Sequence, residues 1–122
     1  MAGEREPQTP QEFNKRGAER FERGDYGGAI SDYTSAIELF GPDSPESAKA
    51  YADRGSAWNG KSEHDKAIAD FTKAIELFKH DDPEAVNAYI TRSSAWSGKG
   101  EYDKAMTDCD TALDICYRAL RR

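Results

Sequence analysis

GAERFERGDYGGAISDYTSAIEL (17–39), GSAWNGKSEHDKAIADFTKAIEL (55–77) and SSAWSGKGEYDKAMTDCDTALDI (93–115) align with one another without a gap. Ala29, Ala67 and Ala105 are 38 residues apart, and so are Ala36, Ala74 and Ala112, and Leu39, Leu77 and Ile115. A period that recurs without drift marks a repeat architecture, in which each unit buries its apolar face against the next.

Each unit reads as two helices. In the second, Ile30, Tyr33, Ala36, Ile37 and Phe40 fall at spacings of three and four, an apolar stripe of helical period. Ile68, Phe71, Ala74, Ile75 and Phe78 repeat it, as do Met106, Cys109, Ala112, Leu113 and Cys116. The first helix carries Phe13, Gly17 and Phe21, then Tyr51, Gly55 and Trp58, then Tyr89, Ser93 and Trp96. A mid-helix Gly or Ser costs roughly 0.5–1 kcal/mol against Ala. Its recurrence at Gly17, Gly55 and Ser93 predicts close approach of a partner helix. Thr9-Pro10-Gln11-Glu12 forms a capping box with Pro at the first helical position, and Ser44-Pro45-Glu46 and Asp82-Pro83-Glu84 are N-caps of the same kind. Turns fall at Gly24-Asp25, Lys61-Ser62 and Gly100-Glu101. The expected helices are 10–22, 26–39, 45–60, 64–79, 83–98 and 102–120, with a disordered tail over 1–8 and one domain over 9–122.

The composition narrows the class. The chain has 122 residues, 37% hydrophobic and 33% charged, with 17 Lys+Arg against 23 Asp+Glu. That suffices for one buried core and leaves no room for a second catalytic domain. A net charge of -6 argues against a nucleic-acid binder. No apolar run reaches the length of a membrane span, and the opening MAGEREPQTP lacks the order of a signal peptide. Cys109 and Cys116 make no disulfide framework, so a cytoplasmic setting is expected. They lie seven residues apart on one helix, about 10.5 Å of rise, too far to bridge within it, and are read as core or interface residues. Charge is uneven: residues 10–47 hold 4 basic and 8 acidic side chains, 48–85 hold 6 and 8, and 86–122 hold 6 and 5.

No enzyme is legible. His64 and His80 are 16 apart with no companion ligands, and are read as surface histidines. Asp32, Asp70 and Asp108 recur every 38 residues beside the apolar stripe and are expected to form an exposed, solvated row. No Ser-His-Asp arrangement, phosphate loop or nucleotide fingerprint is present, and neither metal nor cofactor is expected.

With these residues in view, the chain resembles a tetratricopeptide-repeat protein over about residues 10–118. Tyr51, Arg54-Gly55 and Trp58 follow the family pattern on the first helix, as do Tyr89, Arg92-Ser93 and Trp96, with Arg16, Arg54 and Arg92 where Leu is common. Ala29-x3-Tyr33 and Ala67-x3-Phe71 follow it on the second; Ala105-x3-Cys109 lacks the aromatic. The period exceeds the usual 34 by four residues, placed after Leu39 and Leu77 and expected to lengthen the helices by one turn rather than loosen the loops. The resemblance implies an all-α solenoid of three helix-turn-helix repeats (about 10–40, 45–79 and 83–120) in a right-handed superhelical stack.

It also implies a peptide groove lined by the first helices. The candidate positions are Gln11, Asn14 and Ala18 on the first, Lys49, Ala52, Ser56 and Asn59 on the second, and Asn87, Ile90, Ser94 and Ser97 on the third. Asn14, Asn59 and Asn87 each carry a donor and an acceptor for a peptide backbone. The partner expected is a protein or peptide of unread identity, with no nucleic acid and no membrane. Part of the family grips the carboxylate of chaperone tails with a two-carboxylate clamp, whose five positions are here Asn14, Ala18, Asp53, Asn87 and Thr91. None retains the clamp residue and one is an acid, so no such tail is expected to bind. The alternative is a self-assembly unit. The seven residues after Ile115 are too few for a further helix that folds back, so Met106, Cys109, Leu113, Cys116, Tyr117 and Leu120 are expected to lack a cover and to pair with a second copy.

Overall fold

A computed structural model of the protein describes residues 6–79 and 82–121. Six α-helices follow one another: α1 (Pro10–Glu22), α2 (Tyr26–Phe40), α3 (Ala48–Gly60), α4 (His64–Leu77), α5 (Pro83–Gly98) and α6 (Tyr102–Leu120). They pair as α1/α2, α3/α4 and α5/α6, and each pair stacks on the next. Successive first helices touch, α1 to α3 and α3 to α5, whereas α2, α4 and α6 do not touch one another among the described residues. The first helices therefore line the inner side of a curved stack, as expected of a right-handed solenoid.

Local chemistry sets the ends. Thr9 Oγ1 accepts from Glu12 N at 3.1 Å while Glu12 Oε1 accepts from Thr9 N at 3.1 Å, completing the capping box. The Asp82 side chain caps α5 by accepting from Glu84 N at 2.9 Å. Residues 1–5 of the expected tail and His80 lie outside the described residues. Glu6 reaches Arg16 at 3.5 Å, and Gln8 N donates to Glu12 Oε1 at 3.0 Å.

The close approach expected at the small residues is present. A Cβ on Gly17 would lie 2.8 Å from the Tyr33 ring, and one on Gly55 2.9 Å from the Phe71 ring. At the third site, Ser93 Oγ instead lies 3.1 Å from Cys109 Sγ. The smaller sulfur leaves room for the larger hydroxymethyl. Around these contacts Ala29, Ala36, Ala57, Ala67, Phe71, Ala74 and Ala95 are fully buried, so the core is built from small side chains that let helices approach closely.

The extra residues of the period do not lengthen the helices as expected. α2 gains only Phe40 and α4 stops at Leu77. Gly41, at φ 106, turns the chain out of α2, and Ser44 caps a single 3-10 turn, Pro45–Ser47, that leads into α3. The corner is tied down: Ser47 Oγ donates to Gly41 O at 2.6 Å and Tyr51 Oη donates to Pro42 O at 2.9 Å. Satisfying backbone carbonyls this way removes the need for another helical turn.

Candidate functional site

The recurring aspartates overturn one expectation. Asp32, Asp70 and Asp108 are 1%, 6% and 4% exposed, so they are a buried column rather than a solvated row. Each accepts a forked pair of bonds from the arginine 16 residues before it. Arg16 reaches Asp32 at 2.9 and 2.8 Å, Arg54 reaches Asp70 at 2.7 and 2.8 Å, and Arg92 reaches Asp108 at 2.8 and 2.6 Å. Planar guanidinium and carboxylate match in this geometry, which is why a buried charge is tolerated here. The Asp70 hydrogen bonds raise the Arg54 pKa above its usual value. Arg54 and Arg92 also donate to the preceding repeat, to Thr34 Oγ1 and Thr72 Oγ1, each at 3.1 Å. One side chain thus closes its own hairpin and keys it to its neighbour. These groups are fully engaged with one another and serve architecture.

The inner wall is the first candidate site. A depression of about 100 Å³ between α3 and α5 is lined by Lys49, Ala52, Ser56 and Asn87, as expected, together with Asp53, Phe78, Glu84, Ala88 and Thr91. Asp53, Glu84 and Thr91 are the polar members that the candidate set omitted; Lys49 and Asp53, four residues apart on α3, were the available signal. Burial raises the Asp53 pKa, and Lys49, 3.7 Å away, opposes the shift. Asn14 Oδ1 is buried with no hydrogen-bond partner among the described residues. Ala18, Ser94 and Ser97 are exposed on the same set of helices. Asn59 departs from the expected role, because its Oδ1 lies 2.8 Å from His64 Nδ1 and is taken as an acceptor. His64 is correspondingly not a free surface histidine. It is half-buried, and its ring lies where a Cβ on Gly98 would be, 2.6 Å away.

The end of the stack is the second. Met106, Leu113, Tyr117 and Leu120 are 64%, 68%, 62% and 85% exposed. Cys109 and Cys116 are free thiols and exposed, so they are not core residues. Ile90 belongs here rather than to the inner wall: with Val86, Cys109, Ala112, Leu113 and Cys116 it lines an apolar furrow of about 310 Å³ between α5 and α6. Tyr102, 65% exposed, extends the stripe toward the start of α6. Among the described residues no cluster of three His, Cys, Asp or Glu converges as a metal site requires, and no helix is long and apolar enough to cross a membrane.

The model of the tetratricopeptide repeat matches residues 14–82. Among solved structures, the chain is similar to MamA at 26% identity and a TM-score of 0.80, over 93% of this chain and 62% of that one. It is similar to the second TPR of Spaghetti (RPAP3), bound to the HSP90 peptide SRMEEVD, at 28% identity and 0.76, over 88% and 93%. It is also similar to the TPR2B domain of yeast Sti1 in complex with pHsp70, at 32% identity and 0.76, over 87% and 78%. The chain therefore spans about three fifths of the length of the first of these. No curated protein sequence matches it.

Proposed function

The chain belongs to the tetratricopeptide-repeat family, a fold that generally serves protein–protein interaction without catalysis, and we propose that it holds an extended peptide or partner segment along α1, α3 and α5. The observation that carries this reading is the depression between α3 and α5 on the wall that the first helices form, lined by Lys49, Ala52, Ser56 and Asn87. The exposed Asn87 amide beside the depression adds a donor and an acceptor.

The bound segment is not an acidic chaperone tail. Asp53 and Glu84 line the depression against Lys49, which already pairs with Asp53 at 3.7 Å, so a terminal carboxylate placed there would meet an excess of like charge. A peptide array on the full chain, followed by calorimetry of the best sequences, tests the reading. Ser56→Trp and Ser94→Trp should each abolish binding while leaving helicity unchanged. Binding that survives both would place the site elsewhere, and micromolar affinity for SRMEEVD would overturn the charge argument.

A second reading is self-assembly through α6. It is favoured by the exposed stripe from Tyr102 to Leu120, since an apolar surface of that extent is stabilised by cover at roughly 25 cal/mol per Å².

A further inference from the structure

The two interior interfaces are each read by an arginine. Arg54 donates to Thr34 and Arg92 to Thr72, both at 3.1 Å. The position 38 residues beyond Thr72 is Asp110, and it is exposed. A carboxylate has replaced a hydroxyl at the one place where an incoming unit presents a guanidinium. A group that covered α6 would pair with Asp110 through a cation at this point.

A second copy that simply continued the stack would bring its Arg16 there, since Arg16 stands in the register of Arg54 and Arg92. The rest of that face forbids it. Glu12, Glu19 and Glu22 occupy the registers of Ala50, Ala57 and Gly60, and of Ala88, Ala95 and Gly98. The four alanines are at most 1% exposed. A Cβ on Gly60 would lie 2.8 Å from the Tyr26 ring, and one on Gly98 2.6 Å from His64. Tyr102 stands in the register of Tyr26 and His64, so in a continued stack it would press on Glu22, and two further carboxylates would meet the apolar stripe. Burying the Glu19 and Glu22 carboxylates in that apolar contact is strongly unfavourable. The first helix is thus a poor complement to α6, which disfavours an open head-to-tail filament.

The required cation stands at the end of the same helix, where Arg121 caps α6 and lies over the Tyr117 ring at 5.5 Å. Arg121 follows Asp110 by eleven residues, so at 100° per residue the two lie within about 20° of the same side of the helix. A two-fold axis perpendicular to α6 reverses its direction and sets that side of one copy beside the same side of the other. Centred between Ile115 and Cys116, it opposes Asp110 and Arg121 twice. Between the two pairs Tyr117 and Leu113, about 20° and 60° round the helix from Asp110, then face the partner subunit's Tyr117 and Leu113, with Leu120 at the rim and Cys116 outside the contact.

We propose that the protein forms a closed two-fold dimer in which α6 of the two copies lie antiparallel, with Asp110 of each paired to Arg121 of the partner subunit. This rests on the self-assembly reading of α6, and it adds the partner, the direction and the stoichiometry.

Sedimentation equilibrium of the full chain from 5 to 200 µM tests it. The expected mass is twice 13.6 kDa and does not grow further with concentration. Asp110→Arg and Arg121→Asp should each raise the dissociation constant at least tenfold. The double variant should return to within about threefold of the unmodified chain. The two positions are about 16 Å apart along one helix, so only pairing between copies can produce that rescue. Circular dichroism confirms that each variant keeps its helices. A monomer at 200 µM would overturn the dimer together with the self-assembly reading. A dimer indifferent to both charge reversals would overturn the antiparallel arrangement alone, and mass rising beyond the dimer would overturn closure.

Discussion

The second repeat and the third share a backbone plan and a polar tie, yet differ at most of the positions around them. Both hold a guanidinium–carboxylate fork of the same geometry, Arg54–Asp70 and Arg92–Asp108. The arginine stacks on the aromatic three residues before it in each, 5.4 Å from the centroid of Tyr51 and of Tyr89. The apolar contact beside the fork has changed on both sides at once, from glycine under a phenylalanine ring to serine beside a thiol. The two changes oppose each other in size, a larger side chain on the first helix against a smaller one on the second, while the fork keeps its distances. The lesson is that the charge pair is the fixed element of this repeat, and the packing is adjusted around it.

The largest expected effect tests that constancy. Arg54→Leu and Arg92→Leu each leave a buried carboxylate unpaired and should each cost about 3–5 kcal/mol in denaturant unfolding. Replacing the pair together, Arg54→Leu with Asp70→Leu, should recover most of the loss, because an apolar pair of similar volume removes the desolvation cost as well. Costs that differ widely between the second and third repeats would show that the forks are not equivalent.

Next comes the exchanged contact. Gly55→Leu drives a side chain into the Phe71 ring and should cost on the order of 1–3 kcal/mol, whereas Ser93→Ala should change stability by less than about 1 kcal/mol. An unchanged melting midpoint for Gly55→Leu would contradict the close approach.

A smaller difference is titratable. Asp53 of the second repeat is in the register of Thr91 in the third, and burial raises its carboxyl pKa. A carboxyl raised in the fold gives its full stability below the unfolded value of about 3.9 and loses it as pH rises through the folded value. Asp53→Asn should therefore stabilise the protein at pH 7, by less than about 1 kcal/mol since the side chain is 32% exposed. The gain should vanish near pH 3, and a gain that persisted there would rule out burial as its cause.

The smallest effect is at the hairpin turns. Gly24 and Gly100 sit at φ 82 and 79, and the second repeat places Ser62 there at φ 61. Ser62→Gly should raise stability by about 0.5 kcal/mol, the relief of a left-handed conformation offset partly by a freer unfolded chain.

Much of the fold was legible because periodicity reports on it directly. The repeats, the caps at Thr9, Ser44 and Asp82, and the close approach at Gly17 and Gly55 all follow from spacing. The fork was not read, because a 38-residue period says which residues are equivalent and not which face one another across a hairpin. A signal did exist. Arg16, Arg54 and Arg92 recur with the same period as Asp32, Asp70 and Asp108, an opposite charge sixteen residues on in every unit. The inner wall was read less completely than the helices: Asp53 and Thr91 were named only as clamp positions, and the Glu84 contribution to the depression is set by tertiary packing. Asn59 was lost to the wall for a similar reason, its bond to His64 being set by the turn between α3 and α4.

The hydroxyl that each arginine finds on the repeat before it makes the middle unit an interchangeable spacer. Residues 48–85 offer a guanidinium at one face and a threonine at the other, and both faces are flanked by small buried side chains. A tandem second copy of this segment would set its arginine against Thr72 and present its own threonine to Arg92. The inner wall would lengthen by one unit, with the acidic first helix and the apolar last one unaltered at the extremities. Reach and end chemistry are thus separable properties of the chain.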